Sequence, residues 1–153
     1  MNFATVPLDL LAVRGITPDT HPPRPVILVV DDEVTIAESL RTILMQFGYA
    51  SFAVYDAASA LDMIRVFPPD LLLTDFVLPG INGLELAKQV SAICPQCKVI
   101  VFSGLVSAVD MTSMSRERNP AFVMLEKPMH PALLVSRIEQ LLQASTTATR
   151  AAG

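Results

Sequence analysis

Leu71-Leu-Leu-Thr-Asp75-Phe-Val-Leu-Pro79-Gly80-Ile-Asn-Gly83 is the stretch on which the fold turns. Leu71 to Leu73 is a continuous aliphatic run, short enough for a strand buried on both faces, and it runs into Thr74 and Asp75. Asn82 and Glu85 then stand three apart at the head of an apolar stripe, Leu84, Ala87 and Val90. That pattern resembles a capping box with Asn in place of Ser, so a helix starts there. A buried strand followed by a helix is the repeating unit of a parallel sheet.

The same alternation extends in both directions. Upstream, Val26 to Val30 is a second buried run, followed by a helical stripe at Ile36, Leu40, Ile43, Leu44 and Phe47 that Gly48 stops. Tyr49 to Val54 alternates small or polar with apolar residues, which predicts a strand wet on one side, near a sheet edge. Ala60, Leu61, Ile64 and Phe67 form another stripe, ended by Pro68 and Pro69. Downstream, Val99 to Phe102 and Phe122 to Leu125 read as strands. The Ser- and Thr-rich stretch 105–118 gives only a weak helical pattern. Pro131 suits a first helical position before Leu134, Ile138, Leu141 and Leu142. Strands alternating with helices require right-handed crossovers and a sheet covered on both faces. Five such units predict a flavodoxin-like α/β domain over residues 26–143.

Five of the chain's twelve prolines fall within residues 1–25, which reads as an extended arm; its Leu8 to Val13 segment is the one part suited to a helical turn or to docking. Residues 144–153 are small and polar and read as a frayed, disordered tail. Hydrophobic residues make up 52% of the 153 and charged ones 17%, which excludes a disordered chain. A net charge of −4 argues against nucleic-acid binding by phosphate neutralisation. No apolar run is long enough for a membrane span, and no signal sequence precedes the domain, so a cytoplasmic location is expected.

Ligands of open parallel sheets bind beyond the carboxyl ends of the strands. The polar residues at those ends are Asp31 and Asp32, Asp75, Ser103, and Glu126 with Lys127. Three converging carboxylates repel one another, and a hard divalent cation such as Mg²⁺ removes the conflict. A lysine ammonium and a serine hydroxyl suit phosphoryl oxygens. One carboxylate beside them has the makings of a nucleophile that forms an aspartyl phosphate.

With Asp31-Asp32, the Asp75 stretch, Val-Ile-Val-Phe-Ser103-Gly104 and Leu-Glu-Lys127-Pro128 in order, the chain resembles the receiver domain of two-component response regulators. The resemblance covers about Pro25 to Gln143 and implies strand order 2-1-3-4-5. It makes Asp75 the phosphoacceptor, charged by a sensor histidine kinase or a histidine phosphotransfer protein. Asp32, Asp75 and the backbone carbonyl of Val77 would bind Mg²⁺, with Asp31 acting through a water. Ser103 and Lys127 would hold phosphoryl oxygens, Gly104 would leave room for them, and the bond before Pro128 is a candidate for cis. With no output domain after the last helix, the chain is expected to signal by docking an unknown downstream protein, as a monomer or a phosphorylation-dependent dimer. Met111, Met114 and residues 116–118 would contribute to that surface.

Two positions depart from the family pattern. Met124 replaces the usual switch aromatic three residues before the lysine, which leaves a phosphorylation-independent interaction module as the alternative. Val77 and Leu105, each two past a key site residue, are apolar and cannot orient an attacking water, so loss of the phosphoryl group is expected to be slow. A phosphohydrolase is disfavoured, since no second acid stands two residues after Asp75. Asp56 and Asp70 read as caps or solubilising charges, Glu126 as a surface residue, and His21 and His130 as structural. Cys94 and Cys97 read as a loop pair; they follow a helix, whereas redox dithiols sit at a helix N-terminus.

Overall fold

The computed structural model describes residues 24–104 and 122–152, with backbone alone from 144 onward. The strands are β1 (Val26–Val30), β2 (Ala50–Val54), β3 (Leu71–Asp75), β4 (Lys98–Ser103) and β5 (Phe122–Glu126). Between and after them run α1 (Val34–Gln46), α2 (Ala57–Val66), α3 (Gly83–Ile93) and α4 (Pro131–Ala152). All strand pairs are parallel, in the order β2-β1-β3-β4-β5. The expected flavodoxin-like α/β architecture is therefore present, with the alternating strand β2 at an edge.

Side chains alternate along each strand, so the sheet feeds two separate cores. Leu28, Leu72, Val99 and Val101 face α2 and α3, meeting Ile64, Leu86 and Val90. Ile27, Leu73, Ile100 and Phe102 face α1 and α4, meeting Leu44, Leu134 and Ile138. The aliphatic runs Val26–Val30 in β1 and Leu71–Leu73 in β3 follow from burial on both faces.

The helix boundaries have local chemical causes. α1 ends in a Schellman turn: Gly48 N–H donates to Met45 O (3.0 Å) and Tyr49 N–H to Leu44 O (3.1 Å), with Gly48 at φ 93°. Asp56 Oδ1 accepts from Ser59 N–H at the start of α2 (2.7 Å), and Asn82 Oδ1 from Glu85 N–H at the start of α3 (2.8 Å). His130 Nδ1 accepts from Ala132 N–H ahead of α4 (3.1 Å), a structural role.

α4 continues through Ala152; extending a formed helix adds one hydrogen bond per residue without a new nucleation cost. Asp70 is half-buried and does more than solubilise: its carboxylate accepts from Val26 N–H (2.7 Å) and so fastens the start of β1 to β3. The weak helix over 105–118 and the arm before residue 24 lie outside the described residues.

Candidate functional site

β1, β3, β4 and β5 deliver their carboxyl ends to one rim of the sheet, and the site is built there. Asp31 follows β1 and is 2% exposed. Its backbone N–H donates to Val54 O, and its Oδ1 accepts from Glu33 N–H (2.9 Å). Burial holds its carboxyl above the usual carboxylate range, and the negative charges of Asp75 and Asp32 push the same way; the Glu33 N–H and Lys127 oppose them.

Asp75 closes β3, in register with Phe102. The chain beyond it is held on both sides: Phe76 N–H donates to Phe102 O and Gly83 N–H to Phe76 O, each at 2.7 Å. Asp32 is exposed at the mouth of the site. A carboxylate oxygen from each of Asp31, Asp32 and Asp75 lies within 4.8 Å of the others. Lys127 reaches into this group, its Nζ 3.3 Å from Asp75 Oδ1 and 3.8 Å from Asp31 Oδ2. One ammonium against three carboxyl groups leaves an excess of negative charge, and the all-oxygen donor set suits a hard divalent cation such as Mg²⁺.

Ser103 is buried at the end of β4, and its carbonyl accepts from Lys127 N–H (2.9 Å), which ties the β5 end to the β4 end. Gly104 follows, exposed; a Cβ there would sit 3.8 Å from Lys127 Cβ, an ordinary contact. The Lys127–Pro128 bond is cis. Val77 is 52% exposed next to the site, and Glu126 is exposed. Met124 is half-buried and packs against the core beneath α2 and α3.

A steric feature escaped the sequence reading. A Cβ on Gly83 would collide with the carbonyl oxygen of Asp75, so the first turn of α3 lies directly on the end of β3. The available signal was a glycine in a helix's first turn, where a helix former would otherwise serve better.

Cys94 and Cys97 are buried free thiols at the opposite rim, before β4. Cys97 N–H donates to Cys94 O (3.1 Å), closing a tight turn, and burial pushes the Cys97 thiol up. A reactive dithiol needs the opposite shift.

Comparison with known proteins agrees with this geometry. The response regulator receiver domain family matches residues 27–139. The response regulator receiver protein CpdR of Brucella abortus (strain 2308) is 34% identical over 119 residues, 78% of this chain and 98% of that protein. The DNA-binding response regulator MtrA of Mycobacterium tuberculosis (strain ATCC 25618 / H37Rv) is 31% identical over 117 residues, 76% of this chain but 50% of MtrA. This chain thus spans about half the length of that relative. Among solved structures, a CheY-like response regulator receiver domain protein from Methanospirillum hungatei JF-1 superposes with a TM-score of 0.72 at 28% identity, covering 82% of this chain and 98% of the other.

Proposed function

Because this chain belongs to the response regulator receiver domain family, we propose that it accepts a phosphoryl group on Asp75, with Mg²⁺, from a sensor histidine kinase or a histidine phosphotransfer protein. Residues 26–143 form the receiver, working in the cytoplasm, and the phosphorylated form signals by docking a partner protein. The family is typically not one of catalytic enzymes, and the chemistry here is confined to the chain's own phosphotransfer and the slow loss of its phosphoryl group.

The observation that carries this reading is the cluster of Asp31, Asp32 and Asp75 with Lys127 at 3.3 Å from Asp75. An Asp75 carboxylate oxygen forms the new O–P bond as the donor's P–N bond breaks, its electron pair leaving with the imidazole. Lys127 is placed to follow the negative charge from the carboxylate to the phosphoryl oxygens. Ser103, on the adjacent strand end, supplies a hydroxyl donor, and Gly104 leaves the volume. Asp31 and Asp32, with Asp75 and the Val77 carbonyl, are the residues to hold Mg²⁺, which when bound neutralises charge gathered around the transferred group.

Met124 favours a second reading, a phosphorylation-independent interaction module, because it lacks the ring whose reorientation accompanies phosphorylation elsewhere in the family. Intact mass after incubation with acetyl phosphate and Mg²⁺ separates the two. A single phosphoryl adduct that requires Mg²⁺ and is absent from Asp75→Asn is expected. Absence of both the adduct and Mg²⁺ binding would leave the interaction module as the better account.

A further inference from the structure

Cys94 and Cys97 close the connection between α3 and β4, at the rim opposite the acidic site. Cys97 N–H donates to Cys94 O (3.1 Å), so Cys94-Pro95-Gln96-Cys97 is a hydrogen-bonded β-turn. Pro95 stands at its second position, where the fixed φ of proline presets the bend. Such a turn holds its first and last Cα atoms within about 7 Å. A disulfide asks for about 4.4–6.8 Å between them and for Cβ atoms that do not point apart. The turn brings the pair to the first condition, and the core meets the second. Cys94, 5% exposed, and Cys97, 1% exposed, enter the same cluster beneath α2 and α3, with Leu72, Val90 and Val99. The Cys94 thiol joins burial in pushing the Cys97 thiol up, so the two sulfurs are within interaction range.

The two thiols differ in access. Pro95 and Gln96 form the exposed outside of the turn, and Gln96 Oε1 accepts from the Cys94 thiol (3.8 Å). The Cys97 thiol donates to Lys98 O (3.4 Å) and lies deeper. Both follow the carboxyl end of α3, where Cys94 N–H donates to Val90 O (2.7 Å). The helix dipole is negative at that end and disfavours a thiolate. Catalytic disulfides are labile because their reduced form is stabilised as a thiolate. This pair receives no such help. The turn supplies proximity instead, which makes closure slow and the closed bond lasting.

We propose that Cys94 and Cys97 form a reversible disulfide across the α3–β4 turn, driven by a low-molecular-weight disulfide such as oxidised glutathione. The Cys94 thiol loses its proton and attacks one sulfur of the oxidant, whose S–S bond breaks and releases one small thiol. Cys97 then gives up its proton and attacks Cys94 Sγ, expelling the second small thiol. Two electrons and two protons pass from the protein to the oxidant, which leaves as two thiols. The second attack is intramolecular, and closeness compensates for the weak acidity of Cys97. In a reducing compartment the dithiol is the resting form, and the disulfide records oxidation of the small-thiol pool. The bond ties the cap of α3 to the entry of β4, the strand that ends in Ser103. The inference does not depend on phosphorylation of Asp75.

The test exposes the folded full chain to oxidised glutathione, blocks remaining thiols with iodoacetamide in urea, and weighs the chain and its tryptic peptide Gln89–Lys98. Loss of two hydrogens from that peptide is expected, with neither cysteine alkylated and no glutathione retained. Dithiothreitol should restore both alkylatable thiols. Cys97→Ser is expected to keep one glutathione on Cys94, since no second thiol expels it. Two alkylated cysteines in the exposed wild type would overturn the proposal. So would a lasting glutathione adduct on the wild type, a bond between two chains, or closure that occurs only when the exposure is made in urea.

Discussion

Gly83 stands against Asp75 so closely that an added Cβ would overlap the Asp75 carbonyl oxygen and lie 3.0 Å from both the Asp75 carbonyl carbon and Phe76 Cα. Alanine is ordinarily favoured over glycine in a helix by about 1 kcal/mol, but here the contact is with backbone, which has nowhere to yield. Gly83→Ala is expected to destabilise the chain by about 1–3 kcal/mol. It should also lower acetyl phosphate labelling of Asp75. Urea denaturation and intact mass check both, and an alanine variant as stable as the wild type would show that α3 can retreat.

Lys127 is an ammonium within ion-pair distance of two of the three carboxylates. It competes electrostatically with any cation placed among them. Lys127→Met is therefore expected to bind Mg²⁺ at least as tightly as the wild type while losing phosphoryl uptake. Calorimetric titration with Mg²⁺ and mass labelling read the two effects separately. Weaker Mg²⁺ binding would mean that the lysine shapes the site rather than only charging it.

Val77 projects into solvent beside Asp75 and offers no hydrogen bond to an attacking water. Val77→Asn is expected to shorten the phosphoryl half-life severalfold with little change in stability, because the exposed position carries no core packing. The decay of the mass adduct after removal of the donor gives the rate directly.

Asp56 accepts the Ser59 backbone N–H, and this bond, with one to the Ser59 side chain, holds its carboxyl below the usual range. A folded-state pKa below the unfolded value of about 3.9 stabilises the chain above that pH and fades as pH falls through the folded value. Asp56→Asn keeps a neutral cap at every pH. The stability of wild type relative to Asp56→Asn should therefore decline below about pH 4, as followed by urea midpoints at a series of pH values.

The strand runs and the polar residues at their ends were legible because both are properties of adjacent residues. Asp31, Asp32, Asp75 and Lys127 needed only the rule that parallel strands end on one rim. What the sequence hid depends on distance across the fold. The stripe Ile36, Leu40, Ile43, Leu44 and Phe47 reads as core by its period, yet periodicity records apolar character and not what lies opposite; the fold buries Leu44, while Ile36, Leu40 and Ile43 line a groove and Phe47 is 50% exposed. Asp70 reads as a cap or a solubilising charge, but not which group it caps, because its partner, the Val26 N–H, is 44 residues away. The steric demand at Gly83 is likewise set by a carbonyl eight positions earlier in the chain.

Asp75 ends the middle strand of five, with β1 on one side of it and β4 on the other. Backbone amides in such a strand exchange with solvent only when the whole domain opens, whereas peripheral elements open alone. Asp75 is thus fastened to the part of the molecule that moves last. Whatever changes when it is modified must be found in segments that can open without unfolding the sheet, so exchange protection along β3 serves as an internal standard against which those segments are measured.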